Sequence, residues 1–104
     1  MQLLTDYAGL DVRLTDERRA HILDHPEMAD MESAIGETLL LPQSVVQSVS
    51  DPLARQYYRF YFATVVGNKY VCVVVKLTEI DAFVLTAYLT NRIRGGVRLW
   101  PSGM

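Results

Sequence analysis

The chain has 104 residues, 50% of them hydrophobic and 21% charged, with six glycines, four prolines and a single cysteine. That composition belongs to one globular domain, spanning 1–104, and argues against disorder, a low-complexity tract, a disulfide framework and a cysteine-rich zinc site. The net charge of −2 hides an asymmetry, because residues 1–52 carry three arginines against ten acids (net −7) while residues 53–104 carry seven bases against Glu79 and Asp81 (net +5).

The first segment, MQLLTDYAGLD, lacks a basic leader, and no later stretch reaches the ~20 apolar residues that span a bilayer, so a cytoplasmic protein without membrane contact is expected. A short strand is expected near Val12. Leu14-Thr15-Asp16-Glu17 then carries a helix-start signal, with Thr15 as N-cap and two acids facing the helix dipole. That helix is expected to run to about His25, and Pro26 suits the first turn of a second helix because its missing N–H is not needed there. Met28, Met31, Ile35 and Leu39 recur at steps of three and four and predict a core-facing stripe that ends before Pro42.

From Ser44 the period changes to two. Val45–Val49, Gln56–Val66, Lys69–Leu77 and Ala82–Thr90 are rich in β-branched and aromatic residues and predict four strands. The fold class expected is therefore α+β, with two N-terminal helices packed on a four-stranded antiparallel sheet. Gly67-Asn68 reads as a two-residue hairpin turn, which pairs Val66 with Lys69 and Phe62 with Val73. In that register Phe60, Phe62, Val73, Val75, Phe83 and Leu85 form the core against Met31, Ile35 and Leu39. Arg59 then lies across from Lys76 on the opposite face, beside Thr86 and Tyr88. Like charges across two strands repel, and an anion bound between them would relieve this.

Nine of the ten aromatics lie from Tyr57 onward, in the basic half, and that combination suits an anionic ligand such as RNA. Attraction between the two halves, or a docked partner chain, is the alternative. His21 and His25 stand four residues apart on one helix face, one turn beyond Arg18, and two imidazoles can serve as general base and general acid at neutral pH. Ile22 occupies the place of the glutamate in an HExxH pattern and there is no third histidine, so neither a metal nor a cofactor is expected.

The phrases LTDERRAHILDHPEM, IGETLLLPQSVVQSVSDP, YYRFYF, YVCVVVK and FVLTAYLTNRIRGG, followed by LW, resemble the phage-type branch of the barnase–EndoU–colicin–RelE nuclease superfamily over roughly residues 12–100. The resemblance implies helices followed by a four-stranded antiparallel sheet, and toxin-like, metal-independent cleavage of RNA through a 2′,3′-cyclic phosphate. It implies site residues His21 or His25, Arg59, Lys76 and Thr86 or Tyr88. Net acidity departs from the many basic members of that group. The expected function is thus an endoribonuclease acting on RNA, with an inhibitor protein or a second copy as a further partner. A non-catalytic interaction or RNA-binding module of the same fold is the alternative.

Overall fold

The computed structural model describes residues 1–101 as seven strands and two α-helices. Strands β1 (Gln2–Thr5) and β2 (Asp11–Leu14) come first, followed by α1 (Asp16–Leu23), a 3-10 turn at Pro26–Met28 and α2 (Glu32–Leu40). Strands β3 (Ser44–Gln47), β4 (Ala54–Thr64), β5 (Gly67–Leu77), β6 (Ala82–Thr90) and β7 (Val97–Trp100) complete the chain. All seven form one sheet in the order β1-β2-β6-β5-β4-β3-β7. Pairing is antiparallel except between β2 and β6, so the sheet is mixed.

This corrects the four-stranded antiparallel expectation. The α+β character stands, but two strands precede the helices and a third short strand, β7, follows β6. The helical half is closer to its pattern. Thr15 caps α1 by accepting from the Arg18 backbone N–H at 3.2 Å, and the helix stops at Leu23 with Pro26 opening the 3-10 turn. Met28, Ile35 and Leu39 are fully buried, each side chain gaining about 1.5–3 kcal/mol from leaving water.

Both helices and the 3-10 turn cover the same face of the sheet, since Ile22, Met28, Ile35 and Leu39 share one core with Val12, Tyr57, Val71, Val73, Val75, Val84 and Ala87. The other face carries only a small cluster of Val46, Tyr58 and Cys72, roofed in part by Ile93 from the segment between β6 and β7. Gly96 lets that segment return. A Cβ there would stand 2.5 Å from the Gln47 carbonyl oxygen, so only glycine allows β7 to dock beside β3.

The β4–β5 hairpin turns at Val65-Val66, with Thr64 opposite Gly67 and Gly67 at φ +99° closing the turn. Ala63 is pushed to φ +55°, and the Asn68 side chain accepts from its N–H at 2.9 Å. Beyond this bulge Tyr57 pairs with Val73 and Arg59 with Val71. The expected register is therefore shifted by five residues, an odd number, which turns β4 over relative to β5. Tyr57 and Tyr61 face the helices, whereas Phe60 is half-buried on the open face and Phe62 is 77% exposed. A second bulge between Val74 and Val75 shifts the β5–β6 register, so that Ala82 and Val84, rather than Phe83 and Leu85, enter the core.

Candidate functional site

Tyrosine can be buried at low cost when its hydroxyl finds a partner, and this decides which face of β4 goes inward. The Tyr57 hydroxyl donates to Asp6 Oδ2 at 2.7 Å, and that of Tyr61 donates to Glu37 Oε1 on α2. Asp6 is itself only 1% exposed, and its Oδ1 accepts from the backbone N–H groups of Ala8 and Leu10. With these tyrosines turned inward, the phenylalanines of β4 are left on the uncovered face.

There they form a continuous aromatic row with β5. The Phe60 ring meets Phe62 at 5.1 Å and Tyr70 at 4.9 Å, and Tyr70 meets Tyr58 at 6.3 Å, each pair edge to face. At the β6 side the row reaches Cys72 and Tyr88, which pair across β5 and β6. The Tyr58 hydroxyl accepts from the Arg94 backbone N–H at 3.2 Å and so fixes the segment that follows β6. Burial pushes Tyr58 up to about 12 and Cys72 up to about 11, and the nearby Arg94 charge opposes both shifts. Burial raises Tyr88 as well, which keeps its phenol protonated. Thr90, Arg92, Ile93, Arg94 and Gly95 line an open cleft of about 670 Å³ at this end of the row. Among the described residues, Arg92, Arg94 and Arg98 are exposed and enter no ion pair.

The residues singled out in the sequence fall into three places. Lys76, Thr86 and Tyr88 do lie on one face, the open one, but Lys76 is bound to Asp51 and stands across from Ala54. That contact holds the Asp51 carboxyl below its usual range. Arg59 lies on the helix face, where its Nη1 donates to the Leu41 carbonyl at 2.8 Å and its Nε stands 3.6 Å from Glu37. The expected Arg59–Lys76 anion site is thus not formed, because the odd register shift puts the two bases on opposite faces. His21 and His25 form the third group, both exposed on the α1 side, with ring centroids 5.8 Å apart and planes nearly perpendicular.

Sequence reasoning assigned Phe60 to the core and passed over Tyr70, Arg92 and Arg94. The signal for them was the basic, aromatic second half of the chain, which names the composition of this face without its register. Among the described residues no group of three or more histidine, cysteine, aspartate or glutamate side chains is placed to hold a metal ion, and no helix is long and apolar enough to cross a membrane. No family model, no curated protein and no solved structure matches the chain.

Proposed function

We propose that the protein binds single-stranded RNA along the open face of β4, β5 and β6. The observation that carries this reading is the edge-to-face row Phe62–Phe60–Tyr70–Tyr58, exposed at its Phe62 end and flanked by Arg92 and Arg94. Unpaired bases stack on aromatic faces whatever their sequence, and the phosphates that join them seek unpaired cationic side chains. A buried sheet face would have spent these aromatics on packing; here no helix covers them. The test is fluorescence anisotropy of a labelled single-stranded oligouridylate, with a duplex of equal length beside it. Single-strand binding should dominate. If Arg92, Arg94 and Arg98 neutralise about three phosphates, log K should fall with log salt at a slope of about −2. No binding at low salt, or equal binding of the duplex, refutes the reading.

A second reading is metal-independent cleavage, and the His21–His25 pair is the observation that favours it. One imidazole would take the proton from a ribose 2′-OH as that oxygen attacks phosphorus. The other would give a proton to the departing 5′-oxygen, leaving a 2′,3′-cyclic phosphate. RNA incubated in EDTA with wild type, His21→Ala and His25→Ala separates the two readings. Cyclic-phosphate ends that either substitution abolishes support cleavage; uncut RNA that still binds supports the module.

A further inference from the structure

On the other face of the sheet, beyond the RNA platform proposed above, an open cleft of about 450 Å³ lies where the end of α2 meets β4 and β7. Its lining is Tyr7, Leu40, Leu41, Pro42, Arg59 and Trp100. The Tyr7 and Trp100 rings lie 5.2 Å apart and are tilted by 36°, forming an aromatic corner. Opposite them, Leu40 and Leu41 remain 50% and 54% exposed, a large apolar area left in water beside an aromatic pair. Arg59 is held in place rather than spent: Nη1 donates to the Leu41 carbonyl and Glu37 stands on the Nε side, itself accepting from Tyr61. The remaining Nη donors have no partner among the described residues.

We propose that this cleft binds a nucleoside monophosphate, free or as the phosphorylated end of an RNA chain, with the base against Trp100 and the phosphate on Arg59. An apolar slot with one oriented guanidinium selects a planar ring that carries an oxyanion, and a guanidinium fork matches phosphate geometry. The cleft volume accommodates base, sugar and phosphate together, whereas a lone aromatic carboxylate would leave much of it filled with water.

Trp100 is the single tryptophan of the chain, so its emission reports occupancy directly. The intact protein is titrated with AMP, with adenosine, and with a short oligonucleotide carrying either a 5′-phosphate or a 5′-hydroxyl. AMP should quench the emission saturably and adenosine should bind at least about 10-fold more weakly, the loss expected for one charged hydrogen-bonded contact. Arg59→Gln should make AMP and adenosine equivalent. Leu41→Glu, at an exposed wall position that folding does not need, should repel AMP while leaving the melting temperature unchanged. If only the phosphorylated oligonucleotide binds, the occupant is an RNA end; if AMP alone suffices, it is a free nucleotide. Phe60→Ala should change RNA binding on the open face and leave the AMP response alone, so either proposal can fail without the other. The inference is overturned if emission shows no saturable change with AMP up to about 5 mM, weaker than even a millimolar complex, and none with the 5′-phosphorylated oligonucleotide. It is also overturned if Arg59→Gln leaves the AMP preference intact.

Discussion

Replacing Phe60 by alanine separates the two uses to which an aromatic residue on a sheet can be put. In the fold its ring is half-buried and meets Phe62 at 5.1 Å and Tyr70 at 4.9 Å, outside the core beneath the helices. Two edge-to-face pairs of about 0.5–1.5 kcal/mol each place the stability cost near 1–3 kcal/mol, a fall in Tm of roughly 4–24 °C for a domain this size. The protein should remain folded at 25 °C. In the complex, one stacked base is worth about 1–3 kcal/mol, so affinity for a single-stranded oligouridylate should drop by about 5- to 150-fold. No charge is removed, and the salt slope should be unchanged, whereas Arg94→Ala should flatten it by up to about one unit. Anisotropy at several salt concentrations, with thermal melts of each variant, reads all three quantities. Were Phe60 a core residue after all, its loss would cost about 3–5 kcal/mol and the melt alone would reveal it. A folded Phe60→Ala protein whose affinity changes less than about twofold refutes the stacking argument.

Three further outcomes test the architecture. Tyr57→Phe keeps the ring but leaves Asp6 Oδ2 buried without its donor, and should lower unfolding free energy by about 1–3 kcal/mol in urea denaturation; a shift under about 0.5 would show that water replaces the hydroxyl. Ala63→Gly relieves a left-handed alanine at φ +55° and should stabilise the exposed hairpin by about 0.5–1 kcal/mol, so a destabilised variant would contradict the bulge. Arg13 hydrogen-bonds Asp81 and holds its carboxyl below the usual 3.8, so this pair's contribution is complete above pH 3.8 and disappears as pH falls through the lower folded-state value. The Tm–pH curves of wild type and Asp81→Asn should then be separated near neutrality and converge in acid, and parallel curves would exclude this role.

How far the fold could be read from the sequence depended on whether the deciding signal was local. Thr15 and the acids after it act within one turn of helix, and the structure places them as their spacing implies. Met28, Ile35 and Leu39 are buried as their spacing implies, but Met28 sits in a separate 3-10 turn and Met31 precedes α2, only partly buried. Strand β6 has the predicted limits, Ala82–Thr90, because β-branched and aromatic residues fill it between clear turn signals. By contrast β1 and β7 are four-residue strands at the two sheet edges, too short for a period, and they exist through pairing with β2 and β3. The β4 face was decided at a distance. Nothing near Tyr57 announces that Asp6, 51 residues earlier, will accept its hydroxyl, and nothing in Phe-Ala-Thr announces that Ala63 takes a left-handed conformation. Two bulges then each reversed an alternation that the sequence alone would continue, and the one in the β4–β5 pairing parted the basic pair Arg59 and Lys76.

The charge asymmetry between the two halves of the chain resolves along similar lines. Three of the ion pairs join one half to the other: Arg13 with Asp81, Arg59 with Glu37, and Lys76 with Asp51. Internal attraction therefore accounts for part of the imbalance, and at partly exposed sites each such pair contributes little stability. Those contacts pair Lys76 with Asp51 and orient Arg59 beside Glu37 on the helix face, so the two bases that the sequence put forward do not share one anion site. Among the exposed arginines that the ion pairs leave uncompensated are Arg92 and Arg94, in the segment that crosses from β6 to β7 and tied by the Arg94 N–H to the Tyr58 hydroxyl, and Arg98 in β7. That hydrogen bond sits at the buried Tyr58 end of the aromatic row, so the unpaired arginines adjoin the row on the open face while its exposed ring, Phe62, stands at the other end. Substituting Tyr58 by phenylalanine removes the anchor and no charge, so a loss of RNA affinity in that variant, at an unchanged salt slope, would trace the coupling between arginines and rings to this one contact.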